Sequence, residues 1–136
     1  MSSQYERELR KLLEELDYIV VRSAGSMGEG DLVVLDPLGE VLPHVIEVKS
    51  VKGDAYYSSR KETDKEQYTH MRKMQEILDG IEYLYAVRFK GVKSLHGEPL
   101  NKKWRMYDPR FDHIFRLGGG TELSEHWGTW NGSTVT

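Results

Sequence analysis

Apolar residues recur along this chain with two different spacings, and the alternation between them lays out its elements. Over Ser2 to Leu16, Tyr5, Leu9, Leu12, Leu13 and Leu16 form one helical stripe, with Ser2 or Ser3 available as an N-cap. Tyr18–Arg22 is a short β-branched run and predicts a strand. Ser23–Gly30 is a loop of small residues, Asp31–Leu35 a second strand, and Asp36-Pro37-Leu38-Gly39 turns the chain into a third at Val41–Ser50. Lys52–Arg60 is polar and reads as a loop. A second helix is predicted over Glu62–Leu78, with Tyr68, Met71, Met74, Gln75 and Leu78 on one side and Gly80 as its stop. Ile81–Phe89 and Trp104–Tyr107 are rich in strand formers, and Lys90–Lys103 between them reads as a loop. Gly118-Gly119-Gly120 then divides residues 1–117 from a tail, 118–136, that carries Trp127 and Trp130. Helix, three strands, helix and two strands imply an α/β fold with a mixed central sheet flanked by helices.

The chain's 136 residues are enough for one domain that folds without covalent staples. The absence of cysteine excludes disulfides, thiolate metal sites and cysteine nucleophiles. No apolar run reaches the ~20 residues of a membrane helix, and the charged start resembles no signal peptide, which predicts a protein working inside a cell. A net charge of −3 gives no support to nucleic-acid binding by itself. Its distribution does more: Arg88–Arg110 holds seven basic residues against two acidic, and Lys49–Lys73 seven against four. A local field of one sign can steer a polyanion even when the whole molecule is slightly negative.

The candidate chemistry lies between Asp31 and Lys49. Side chains alternate along a strand, so Glu47 and Lys49 share a face roughly 6–7 Å apart, and an adjacent hairpin strand can set Asp31 beside Glu47. Two close carboxylates repel unless a cation lies between them. A hard divalent ion with oxygen ligands resolves that repulsion, and the carbonyl of Val48 is a further candidate ligand. Water on such an ion is easier to deprotonate, and Lys49 is placed to orient it or to stabilise charge on an attacked phosphate. On the first helix, Glu6 and Glu8 fall on opposite borders of the apolar stripe. Either could face the same edge, and helical geometry does not choose between them. Gln67 on the second helix is read as an exposed helix residue. The five histidines show no spacing typical of metal ligands.

Four segments in order, Tyr5-Glu6-Arg7-Glu8-Leu9, Val20-Val21-Arg22-Ser23-Ala24-Gly25-Ser26, Asp31-Leu32-Val33 and Ile46-Glu47-Val48-Lys49, resemble the archaeal-type Holliday-junction resolvases. These belong to the PD-(D/E)xK nuclease superfamily, and the resemblance implies its restriction-endonuclease-like core. It is close over residues 5–50, looser through the second helix and the Lys103-Trp104-Arg105 strand, and absent from the tail. Gly30 stands where many relatives have proline before the aspartate. The resemblance implies that Glu6, rather than Glu8, is the helix carboxylate of the active site. It makes Asp31 and Glu47 metal ligands, with Glu6 and the Val48 carbonyl as further ones, and Lys49 the catalytic lysine. Ser26 matches a loop serine beside the scissile phosphate in part of the family. Arg7 and Arg22 match basic positions that contact DNA or support the site, and Lys52, Arg60, Lys103 and Arg105 are the further DNA-binding candidates. The expected activity is Mg²⁺-dependent cleavage of four-way DNA junctions, with Mn²⁺ as substitute, by a homodimer. A general or mismatch-directed endonuclease, or a DNA-binding module without catalysis, is the alternative.

Overall fold

The computed structural model describes residues 3–22, 31–90 and 104–127, without the side chains of Ser3, Asp31 and Ser124. Helix α1 (Ser3–Glu14) is followed by strands β1 (Ile19–Arg22), β2 (Asp31–Leu35), β3 (His44–Val51) and β4 (Ala55–Tyr57). After helix α2 (Glu62–Ile77) come β5 (Glu82–Phe89), β6 (Trp104–Tyr107), β7 (Ile114–Arg116), β8 (Thr121–Glu122) and helix α3 (Leu123–Trp127). Six strands form one sheet in the order β1-β2-β3-β5-β6-β8, in which only β3 and β5 run parallel. Such a pair needs a crossover, and α2 supplies it. Strands β4 and β7 pair antiparallel as a small second sheet.

Two apolar clusters cover the two faces of the main sheet. Leu9 and Leu13 of α1 pack with Leu32, Val34, Ile46, Val48, Leu84, Ala86, Trp104, Met106, Leu123 and Trp127. On the other face Met71 of α2 packs with Tyr85, Val87, Phe89, Tyr107 and Phe115. Strand β3 therefore sends Ile46 and Val48 towards α1, and the intervening Glu47 and Lys49 towards α2. Their Cα partners on β5, Tyr85 and Val87, lie on that same face.

Local sequence explains why the chain turns where it does. Helix α1 stops where Asp17 takes a left-handed conformation, at φ 69°, and Tyr18 bonds back to the Leu13 carbonyl. Between β2 and β3, the Asp36 carboxylate accepts the backbone N–H groups of Leu38, Glu40 and Val41 at 3.0, 2.9 and 2.9 Å. Gly39 supplies the positive φ, 70°, that the turn requires. Those bonds hold the Asp36 carboxyl below its ordinary range against the opposing effect of burial.

The structure adds elements to the pattern read from the sequence. Ala55–Tyr57, expected as loop, is a strand, because Tyr56 stacks on Phe115 of β7 with ring centroids 5.9 Å apart. Beyond the triple glycine, the chain stays in the body up to Trp127. Strand β8 extends the main sheet, while Leu123 and Trp127 enter the α1-side core. Trp130 lies outside the described residues.

Candidate active site

The β2–β3 register places Asp31 directly opposite Glu47, so the two residues share a face of the sheet. Among the described residues the β2–β3 pairing reaches Asp31 and Glu47, and β3 is paired with β5 as far as Val51 and Phe89. Glu47, Val48 and Lys49 follow one another along β3 from that point. Glu47 is 1% exposed, Lys49 8%, and Val48 is fully buried.

The Lys49 ammonium stands 3.6 Å from Glu47 Oε1 and 3.8 Å from Asp64 Oδ1, on the first turn of α2. It also lies 5.9 Å from the centre of the Tyr56 ring. Burying a carboxylate and an amine together is costly unless their polar atoms are satisfied. Glu47 Oε1 is buried and accepts no hydrogen bond. A buried anionic oxygen without a donor suits a hard cation, which fits the residues of this site to a divalent metal.

The two candidate carboxylates of α1 have different environments. Glu8 Oε1 accepts from Arg88 Nε at 2.7 Å and from the Trp104 indole at 2.8 Å, so it ties α1 to β5 and β6. Glu6 is 4% exposed, ion-paired with Arg22 at 2.8 Å, and its Oε2 accepts no hydrogen bond. Arg22 is opposite Leu32, a member of the α1-side core, so this pair sits on the α1 side of the sheet. Among the described residues, no three His, Asp or Glu side chains are grouped tightly enough to hold a metal, and the Asp31 side chain is outside that set.

The basic candidates also differ. Arg7, Lys52 and Arg60 are exposed, and the Arg60 guanidinium lies 4.1 Å from the centre of the Tyr57 ring. Tyr57, Arg60, Lys61 and Asp64 help line a groove of about 370 Å³ that opens beside Lys49. Arg105 is committed to the fold: it donates to the Gly119 and Gly120 carbonyls at 2.8 and 3.2 Å and pairs with Glu122 at 3.7 Å. Ser26 and Lys103 lie outside the described residues. Gln67 is half-buried on α2, while Gln75 is the glutamine built into the body. Gln75 donates to Glu82 at 2.7 Å and to Asp108 at 3.3 Å, and accepts from the Tyr83 amide at 2.9 Å.

Two features escaped the sequence. Asp64 is 15 residues from Lys49, and only the crossover through α2 brings them together. His44 and His126, 82 residues apart, meet with their Nε2 atoms 3.0 Å apart on the opposite face of the sheet from Lys49. Burial, followed by the effect of His126, holds His44 down to about 4.

Comparison with known proteins follows the same lines. The crystal structure of Hjc from Archaeoglobus fulgidus, a Holliday junction resolvase from an archaeal hyperthermophile, matches with a TM-score of 0.60 at 20% identity. The match covers 93% of this chain and 95% of that one, so the two share the restriction-endonuclease-like fold. The crossover junction endodeoxyribonuclease Hjc of Methanocaldococcus jannaschii is 37% identical over 89 residues. That alignment takes in 65% of this chain and 59% of the relative's length. A family model described as archaeal Holliday junction resolvase (Hjc) matches residues 2–123, from the first turn of α1 to the start of α3. The chain belongs to the archaeal Holliday junction resolvase family.

Proposed function

We propose that this chain is a metal-dependent endonuclease that resolves four-way DNA junctions by hydrolysing phosphodiesters in paired cuts. The observation that carries the reading is the register: Asp31 stands opposite Glu47 in the β2–β3 ladder, with the Lys49 ammonium beside Glu47. In this reading Asp31, Glu47 and the Val48 carbonyl hold Mg²⁺, with Mn²⁺ as substitute, and Glu6 completes the acidic set from α1. Bound there, the ion would lower the pKa of a water and offset charge on the attacked phosphate. Lys49 orients that water or stabilises the charge that develops on the phosphate oxygens. Arg22 orients Glu6 through the 2.8 Å ion pair while remaining 60% exposed and open to a DNA phosphate. Ser26, by its match to a loop serine of the family, is the further residue assigned to the scissile phosphate.

Arg7, Lys52, Arg60 and Lys103 contact the DNA backbone. Arg105 belongs to the structural set instead, because its guanidinium is engaged by two carbonyls and Glu122. Recognition rests on phosphate position and backbone shape, with little base readout. A four-way junction has two-fold symmetry and its resolution needs two cuts in strands of like polarity, so the working unit is a C2 dimer acting on DNA inside the cell. No described helix is long and apolar enough to cross a membrane.

The test is digestion of a synthetic immobile junction with Mg²⁺, the nicks being mapped on all four strands. Symmetric nicks in strands of like polarity are expected, with linear duplex cut far more slowly. Equal rates on junction and duplex would instead indicate a general nuclease. Asp31→Asn and Lys49→Ala should abolish cutting while junction binding survives, and wild-type cutting in both would overturn the site.

A further inference from the structure

Among the described side chains two acids flank Lys49, and the second has a use of its own. The ammonium lies 3.6 Å from Glu47 Oε1 and 3.8 Å from Asp64 Oδ1, nearly midway between oxygens carried by different elements. Neither distance is that of a charge-assisted hydrogen bond, for which about 2.7–2.9 Å is usual. A shift of less than about 1 Å would therefore seat the ammonium on Glu47 Oε1. That oxygen is buried and accepts no hydrogen bond, so it is the one a cation would take. Without Asp64, the lysine would close on Glu47 and compete with the metal for the same lone pairs.

We infer that Asp64 is a positioning residue, which draws the Lys49 ammonium away from Glu47 and thereby leaves Glu47 Oε1 available to a divalent ion. The inference rests on the reading of Glu47 as a metal ligand. The fold supports the division of labour. Strand β3 fixes Glu47 and Lys49 two residues apart on one face, so their proximity is unavoidable. Asp64 approaches from α2, and its side chain, 22% exposed, also borders the groove beside the site. It can hold the amine at the mouth of that groove, where the substrate phosphate would meet it.

Mn²⁺ titration of the full chain, by calorimetry or by the spin resonance of the free ion, tests this directly. Asp64→Asn should weaken Mn²⁺ binding about tenfold, and Asp64→Glu should restore it. In a Lys49→Met background the Asp64→Asn change should have no further effect, because no amine remains to be drawn away. With chelator present, junction binding by Asp64→Asn should be unchanged or tighter. Wild-type Mn²⁺ affinity in Asp64→Asn would overturn the inference, as would an equal loss with and without the lysine, which would make Asp64 a ligand itself. Glu47→Gln separates the two levels. If that change leaves Mn²⁺ binding intact, the metal site is misassigned. If it abolishes binding while Asp64→Asn does not weaken it, only the role of Asp64 falls.

Discussion

Glu6 and Glu8 lie two positions apart on one helix, yet their surroundings separate them. Glu8 accepts two hydrogen bonds from largely buried donors, so Glu8→Gln should cost about 1–3 kcal/mol, read as an earlier denaturant midpoint. Glu6→Gln should instead melt close to wild type and lose junction cleavage, and the two assays on both variants check the assignment. Helical spacing could not make this distinction, because the partners that claim Glu8 are 80 and 96 residues away. Asp64 was hidden for the same reason. The pairing of Asp31 with Glu47 was legible because a single hairpin carries both, and hairpin register follows from strand pattern and turn.

His44 gives a second prediction at this scale. Its Nδ1 donates to the Leu42 carbonyl at 2.7 Å and its Nε2 faces His126, leaving no site for another proton without loss of a bond. The ring is held down to about 4 in the fold and returns to about 6.5 when unfolded. The unfolded chain therefore binds more protons between those values, and stability falls as pH drops from about 6.5 to about 4. The loss from this group is on the order of 3 kcal/mol. His126, also held low by burial, adds to the same slope, so His44→Gln should make it shallower without removing it in melts across the window. The Asp36 and Asp108 carboxyls, also held low, add their own losses only further into acid.

At the scale of elements, the long strands were readable from β-branched runs bounded by glycine and proline. Strands β4, β7 and β8 and helix α3 have two to five residues each and were not. Such short pieces have no periodicity to detect. They exist because distant groups hold them, including Phe115 under Tyr56 and Tyr85, and Trp127 against His44. Trp127 is 6% exposed and packs edge-on to Tyr18, with ring centres 5.1 Å apart. Trp127→Ala should therefore cost about 3–5 kcal/mol in denaturant melts. Gly120 marks the entry to β8 at φ 62°, where a Cβ would collide with the Met106 carbonyl and the Tyr107 ring. Gly120→Ala should destabilise by more than the ~1 kcal/mol of an ordinary backbone penalty, again by denaturant midpoint.

For the whole molecule, an overall charge of −3 and the proposed binding of DNA phosphates are compatible through placement. Basic side chains such as Lys52 and Arg60 are exposed near the candidate site. Binding that depends on such contacts releases counterions. Junction affinity should accordingly fall steeply and log-linearly with added salt, as a titration between about 50 and 200 mM would show. A shallow slope would mean that few of these side chains meet phosphate.

The register of β2 against β3 carries one more consequence. Every residue of β2 alternates between the two faces, so the correct placement of Asp31 is a matter of odd and even. Removing any single residue from Leu32–Val34, with the turn at Asp36 held as it is, would move Asp31 opposite Ile46 and turn its carboxylate into the apolar core under α1. A protein shortened by one valine in that strand would part Asp31 from Glu47 by parity alone, with both residues still in its sequence.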